Sequence, residues 1–234
     1  MTNLSYTRLA GWCAILAAPI ALTSFFLGPI AYQWDFDAMF DPQRAIAHPN
    51  VNATLVRWGW VLDIMGYYWL LLPASVLLTD LASRSRPLHA QLAARAGYGY
   101  MITGSIGAAV LAGTTDLFGA YAQGDAATRA AVSTTFGALF GLVYVGLWNT
   151  LCMSLLAVWL WMSGSALRGS HRGLGFFAMA LGVCAALDVL GLLSGLEGVS
   201  MFGLFAYLFL FPVWSAWLGT WLLRGRNNSP SNIN

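Results

Sequence analysis

Residues 57–79 read RWGWVLDIMGYYWLLLPASVLLT, and this stretch decides the fold. Its charged residues are an arginine at the start, Arg57, and one aspartate, Asp63. An α-helix needs about 20 predominantly apolar residues to cross the hydrocarbon core of a bilayer. The stretch therefore predicts a transmembrane helix that carries an acidic side chain within the membrane.

Similar apolar runs recur along the chain and are separated by short polar stretches. The chain is 59% hydrophobic and 9% charged, whereas about a quarter of the residues of a soluble domain are charged. No clear cleavage site follows the first run, so we expect a retained helix rather than a signal peptide. The prediction is an all-α polytopic membrane protein with one domain over 1–226 and a polar C-terminal tail over 227–234. The six predicted spans are 9–31, 57–79, 96–119, 134–162, 174–195 and 201–223.

The arginines predict an orientation. If the N terminus is cytoplasmic, most of the basic residues face the cytoplasm, as the positive-inside rule requires. Tryptophans and tyrosines then fall at both predicted interfaces, which agrees with an aromatic belt. Both termini are therefore predicted to be cytoplasmic. The inner arginines would be Arg8, Arg84, Arg86, Arg95, Arg168, Arg172, Arg224 and Arg226, and the outer ones Arg44, Arg57 and Arg129.

The first outer loop contains three carboxylates, Asp35, Asp37 and Asp41. Asp41 precedes Pro42, and an Asp–Pro pair is typical of a helix start, so a short interfacial helix is predicted through Ala47. Spaced carboxylates near His48 are also compatible with a divalent cation, but they lack a recognised metal-ligand spacing. We favour helix capping and solvation over a metal site. Asp125 is predicted to cap the fourth span in the same way.

Three aspartates inside the predicted spans are the candidate catalytic residues. Each begins the pattern Asp, two apolar residues, Gly, and all three map to the outer half of the bilayer. Positions i and i+3 share a helix face, so each glycine leaves room beside its aspartate for a helix or a ligand. A carboxylate at a helix centre costs roughly 2.5 to 3.5 kcal/mol on an insertion scale, so we expect it to face a polar interior or a wet cavity. The three pairs are Asp63 with Gly66, Asp116 with Gly119, and Asp188 with Gly191.

Polar and aromatic residues near these aspartates are the candidate ligand-binding residues. Trp60 and Tyr67 share the helix face of Asp63, while Tyr144, Trp148 and Asn149 lie near the middle of the fourth span. At least one aspartate is expected to be protonated at neutral pH and to act as a proton donor. The alternative is a structural role, in which a protonated aspartate bonds to another span. Asp116 is also close enough to the interface to be merely solvated.

Several functional classes are disfavoured. His48, His89 and His171 all lie in predicted loops, so neither haem nor a metal has histidine ligands within the membrane. No phosphate-binding loop and no Gly-x-Ser-x-Gly elbow is present. The net charge of +2 does not favour nucleic acid. No cofactor, no metal and no nucleic-acid partner is predicted, and the three cysteines are expected to be inert.

One segment resembles a known family. Asp41-Pro42, Ile46 and His48-Pro49 lead into Arg57 and the apolar helix that carries Asp63. Residues 41–78 with these features resemble a family of bacterial six-helix membrane proteins of unknown function. The resemblance implies a bacterial inner-membrane location and implies no catalytic residue.

Three hypotheses of function follow from these observations. The leading one is a cavity in the outer half of the membrane that binds a lipophilic small molecule and acts on it by acid–base chemistry, as an isomerase or a cyclase does. Asp63 or Asp188 would be the acid, the other a charge partner, and the aromatic residues would stabilise positive charge. The second is a proton-coupled transporter or channel, which with six helices also requires a homo-oligomer. The third is a noncatalytic membrane subunit.

Overall fold

The structure, a computed structural model, describes residues 4–84 and 86–224. These residues form helices and connecting turns, with no β-strand among them. The six predicted spans are confirmed as six helical segments that are long and apolar enough to cross a membrane. Most of them are longer than predicted, because polar first and last turns continue the helices beyond the apolar runs. They are Ser5–Ala31, Ala53–Ser83, Pro87–Gln123, Ala126–Leu167, Arg172–Leu193 and Glu197–Arg224.

Eleven α-helices and three segments of other helix types make up the described chain. The α-helices are α1 Leu4–Ala31, α2 Phe36–Phe40, α3 Pro42–Ala47, α4 Ala53–Asp63, α5 Leu72–Ser83, α6 Pro87–Gly113, α7 Asp116–Gln123, α8 Ala126–Gly141, α9 Met153–Leu167, α10 Arg172–Leu193 and α11 Glu197–Arg224. The first π-helical segment is Ile64–Tyr68, the second is Leu142–Cys152, and a 3₁₀ turn covers Trp69–Leu71.

The second span changes helix type twice in its middle. Pro73 has no N–H group to give the carbonyl of Trp69, four residues earlier. That carbonyl instead accepts the N–H of Leu72, which tightens the backbone into the 3₁₀ turn. The first π segment lies directly before this turn, so Asp63 ends α4 at the point where the regular helix stops.

The bundle is solidly packed at the end formed by the start of α1 and the end of α11. Tyr100, Trp159, Phe211 and Trp214 form a buried aromatic core there, and their rings lie 5.6 to 6.4 Å apart in successive contacts. The outside of the bundle exposes many large apolar side chains, such as Ile102. A surface of this kind is typical of a helix bundle solvated by lipid.

The opposite end, called the loop end here, is formed by α2, α3, α7 and the turns between them. The Asp41 carboxylate caps α3 by accepting the N–H groups of Gln43 and Arg44, as the sequence predicts. Asp125 caps α8: the backbone N–H of Thr128 donates to its carboxylate at 2.8 Å and holds the pKa of Asp125 below its usual value. The carboxylates of the loop between α1 and α4 are thus used for capping and for ion pairs with Arg44.

Some predictions lie beyond what the structure describes. Arg226 and the tail 227–234 fall outside the described residues. The orientation of the chain in the membrane and the interfacial position of α3 stay predictions, as does the division of the chain into one domain and a tail.

Candidate functional site

A cavity of about 120 Å³ lies between the spans near the loop end. Its wall is mostly aromatic and aliphatic, with contributions from α1, α2, the second span, α8, the second π segment and α11. The volume is close to that of a cavity of about 150 Å³ that binds benzene. A space of this volume therefore suits a small apolar group.

Six of the eight predicted site residues lie together in the wall of this cavity. They come from two spans and include one of the three candidate catalytic aspartates and all of the candidate ligand-binding residues. Asp63 contributes the single carboxyl group among the described residues that line it. The six residues are Trp60, Asp63, Tyr67, Tyr144, Trp148 and Asn149.

Asp63 is half-buried because the cavity lies beside it. Its Oδ2 atom is buried and has no hydrogen-bond partner. The hydroxyl of Tyr68 lies within interaction range of the carboxyl. A buried oxygen without a partner is costly in a folded protein, so Asp63 retains hydrogen-bonding capacity that the fold itself does not use.

The two π segments carry several of the polar groups of the lining. Asp63 directly precedes the first π segment, which holds Tyr67 and Tyr68, while the second holds Tyr144 and Asn149. π-helical segments are rare and frequently lie at functional sites. Asn149 is 3% exposed, and its side chain lies near the Tyr144 hydroxyl.

A network of tyrosines closes the cavity on the side of the aromatic core. The Tyr67 hydroxyl donates to the carbonyl of Leu208 at 2.8 Å. That carbonyl needs an external donor because Pro212, four residues later, has no N–H group. The Tyr100 hydroxyl lies 2.7 Å from the Tyr207 hydroxyl and 3.0 Å from the Tyr67 carbonyl oxygen. The Tyr67 ring therefore lines the cavity, while its hydroxyl is hydrogen-bonded to the backbone of α11.

The rings of Trp60 and Trp148 form an aromatic pair in the cavity wall, with centroids 5.3 Å apart. The Trp148 indole N–H donates to the carbonyl of Gly104 at 3.1 Å. A Cβ atom on Gly104 would clash with the Tyr68 ring, and one on Gly107 would clash with the Trp148 indole. These two glycines of α6 thus let both aromatic rings reach the cavity.

Asp188 lies outside the lining of the cavity. It is fully buried between α10 and α11, where its Oδ1 atom accepts the Ser200 hydroxyl at 2.5 Å and its Oδ2 atom has no partner. The carboxyl is within electrostatic range of the Tyr144 hydroxyl. The structure thus does not bring Asp63 and Asp188 together in one wall, and Asp188 has the contacts of a residue that joins two helices.

Asp116 lies at the surface of the loop end, with its side chain 87% exposed. The Arg57 guanidinium donates to its carboxylate at 2.7 Å and to the hydroxyl of Thr115 at 2.8 Å. This contact joins the second and third spans. Asp116 is therefore also outside the cavity wall, and its position agrees with the alternative that it is solvated.

Several lining residues were not predicted. Met39 and Phe40 of α2 close the cavity at the loop end, and Tyr68 lies beside Asp63. Phe136 and Phe140 continue the line of Tyr144 along the fourth span at intervals of four residues, with rings 5.9 and 5.5 Å apart in turn. That spacing was a usable signal for the phenylalanines, whereas no periodicity in the loop points to Met39 and Phe40.

The described residues contain no group of three or more His, Cys, Asp or Glu side chains that could hold a metal ion. The cavity instead offers one carboxyl, one amide and several aromatic rings. Comparison of the chain with known protein families, with curated proteins and with solved structures finds no match. Any function must therefore be argued from the cavity itself.

Proposed function

We propose that this multi-pass membrane protein binds a lipophilic small molecule in the cavity and acts on it by acid–base chemistry, with Asp63 as the proton-transferring group. The observation that carries the proposal is the placement of Asp63. A carboxyl group with an unpartnered buried oxygen lies in an otherwise mostly apolar, aromatic wall. Functional ionisable residues of membrane proteins have this kind of environment.

The reaction class follows from the presence of a single carboxyl group. The protonated Asp63 carboxyl donates its proton to a carbon–carbon double bond of the substrate, and a carbocation forms. The resulting carboxylate then removes a proton from a neighbouring carbon, so that the double bond forms at a new position and Asp63 is protonated again. Atoms and electrons balance without an external reductant or oxidant, which describes an isomerase. Ring closure before the second proton transfer gives a cyclase.

The aromatic wall suits a cationic intermediate. The faces of tryptophan and tyrosine rings attract positive charge, by about 2 kcal/mol or more where water is excluded. Trp60 and Trp148 lie together in the wall, and Tyr144 lies in the same lining. The enclosed volume fits the reacting end of a longer apolar molecule, whose remainder would lie along the bundle.

The test begins with the full-length protein purified in detergent and an organic extract analysed by mass spectrometry for a co-purified lipophile. That molecule, added back as substrate, is incubated with wild type, Asp63→Asn and Asp116→Asn. We expect Asp63→Asn to retain the molecule but to lose about 10²- to 10⁴-fold in turnover, the range of general acid–base catalysis. Asp116→Asn is the matched control because its side chain is exposed and lies outside the cavity wall, and its turnover is expected to stay within about twofold. Wild-type turnover in Asp63→Asn contradicts the proposal.

A proton-coupled transporter is the competing proposal, and the irregular second span favours it. Its π segment, 3₁₀ turn and Pro73 follow one another directly after Asp63, and such irregularities are frequent sites of bending. Transport predicts uptake of a solute into vesicles that depends on a proton gradient and is lost in Asp63→Asn. Conversion of the co-purified molecule without any gradient favours the enzyme.

A further inference from the structure

A second concave site lies at the opposite end of the bundle from the cavity. It has a volume of about 340 Å³ and is lined by Arg86, Ser165, Arg168, Gly169, Arg172 and Phe176, which we call the basic pocket. Three separate parts of the chain meet there: the start of α6, the end of α9 and the start of α10. Its position and composition are independent of the proposed acid–base chemistry.

The three arginines of the basic pocket lack acidic partners. Among residues 4–84 and 86–224, no carboxylate lies within ion-pair distance of Arg86, Arg168 or Arg172. Arg84, close by in sequence, does have one and pairs with Asp80 at 2.9 Å. Three guanidinium groups around one concavity repel each other unless an anion lies between them.

The helix ends at the basic pocket also favour an anion. Arg86 is the residue directly before α6, and Arg172 is the first residue of α10. Both helices are long, so the positive ends of two helix dipoles face this region. Ser165 also lies in the lining, but its hydroxyl donates to the carbonyl of Met162 at 2.8 Å, so the arginines supply the donors for an anion.

Apolar residues beside the basic pocket favour a lipid over a free anion as its ligand. The Arg168 guanidinium lies over the exposed Phe176 ring at 5.3 Å. Phe176, Val183 and Leu190 follow at intervals of seven residues, and all three are exposed on the outside of α10. An apolar stripe therefore runs from the basic pocket along the lipid-facing surface, where acyl chains can lie.

We propose that the basic pocket binds the phosphate headgroup of an anionic membrane lipid, whose acyl chains lie along the stripe of α10. Basic pockets between transmembrane helices recognise anionic lipid headgroups in this way. Arginine suits the role because its planar guanidinium can bind two phosphate oxygens at once. The positive-inside rule explains why arginines lie on this side, but it does not require them to line one concavity.

The test is native mass spectrometry of the full chain in detergent, titrated with dioleoyl-phosphatidylglycerol and, separately, with zwitterionic dioleoyl-phosphatidylcholine. In detergent, a change of membrane orientation caused by lost arginines does not affect the result. An arginine near the membrane surface contributes about fivefold (about 1 kcal/mol) to binding of anionic lipid. We expect R86Q/R168Q/R172Q to weaken phosphatidylglycerol binding by about a hundredfold, and phosphatidylcholine to bind weakly to every form.

The matched control is R8Q/R95Q/R224Q, which removes three arginines predicted for the same side but outside the basic pocket. Its affinity is expected to stay within about twofold of wild type. Equal losses in both triple variants, or no loss in either, overturn the proposal because binding then depends on diffuse charge or on other residues. Inorganic phosphate that displaces the lipid at millimolar concentration assigns the site to free phosphate and overturns the lipid assignment. If the triple variant does not stay monodisperse, the single variants R168Q and R168K replace it. R168Q is expected to bind phosphatidylglycerol about fivefold more weakly than wild type, and R168K is expected to lose less affinity.

Discussion

Asp63 and Asp188 stand in the same short sequence pattern but in different surroundings. Residues 62–66 and 187–191 both read Leu, Asp, a β-branched residue, Met or Leu, and Gly. A Cβ atom on Gly66 would clash with the backbone of Ala21, and one on Gly191 with the backbone of Ser200. In both regions the glycine thus brings a neighbouring helix close, as the pattern predicts.

The difference lies in what faces the carboxyl group. Next to Asp188 the neighbouring helix supplies Ser200 as a hydrogen-bond donor, and Gly203 lets the α11 backbone close over the residue. Asp63 instead lies in the wall of the cavity, and its buried Oδ2 atom has no partner. A shared pattern therefore specifies close helix packing, whereas the neighbouring span decides whether the acid is structural or available to a ligand.

The largest effects are expected when each of the two aspartates is replaced by leucine. The substitution should mainly lower turnover at Asp63 and mainly lower stability at Asp188. Asp63→Leu is expected to lower turnover of the co-purified molecule at least 100-fold, while its unfolding temperature stays the same or rises, because an unpartnered buried oxygen is removed. Asp188→Leu is expected to lower the unfolding temperature, because a larger side chain enters a fully buried site beside Gly203. Thermal unfolding in detergent and turnover are measured together. If the two variants show the same changes in turnover and in unfolding temperature, the distinction between a structural Asp188 and a functional Asp63 is wrong.

The shared glycines provide the next test. Gly66→Ala and Gly191→Ala are each expected to destabilise the protein by about 1–3 kcal/mol, because the added methyl group overpacks a helix contact. Gly119, the third glycine of the pattern, has open space where its Cβ would lie. Gly119→Ala is therefore the matched control, and its unfolding midpoint is expected to match or slightly exceed that of wild type, because alanine favours an exposed helix position. A tolerated Gly66→Ala argues against the close contact with α1.

Removal of the Ser200 hydroxyl tests the structural role of Asp188. Ser200→Ala leaves the buried carboxyl without its donor and is expected to cost about 1–3 kcal/mol. Ser154→Ala serves as the control, since the exposed Ser154 hydroxyl donates only within its own helix. Chemical or thermal unfolding of both variants gives the comparison, and similar midpoints contradict a structural bond at Ser200.

The smallest effect is expected at the third aspartate. Arg57→Gln, Asp116→Asn and the double variant form a double-mutant cycle, whose coupling energy is expected to be below about 1 kcal/mol because the pair is exposed. High salt should reduce this energy further. A much larger coupling energy would show that the pair is shielded from water and would give Asp116 a greater role than its exposure suggests.

The sequence predicts the fold well because composition alone fixes the six apolar segments. It also predicts part of the cavity wall, since Trp60 and Tyr67 lie three and four residues from Asp63 on one helical face. It cannot predict that Ser200 bonds Asp188, because that contact depends on how two spans align after α10 ends. Nor can it place Phe40 over the cavity, because the packing of a short loop helix follows no periodicity.

Tyr68, which the sequence does not predict for the site, shows a second reason for the limit. A helical wheel at 3.6 residues per turn sets Tyr68 and Asp63 on different faces, because they are five residues apart. A π-helix closes its hydrogen bonds at five residues. Residues five apart then lie one above the other, so that Tyr68 and Asn149 reach the cavity beside Asp63 and Tyr144.

The second π segment also makes the chemistry of the cavity sensitive to chain length. Insertion of one residue between Tyr144 and Trp148 would set Asn149 six residues from Tyr144, beyond the five-residue spacing of a π-helix, and turn the Asn149 amide away from Tyr144. The span would still be long enough and apolar enough to insert. A one-residue length change in this segment can thus alter which molecule the cavity accepts while the protein still folds, so length variants here are a route to new ligand specificity.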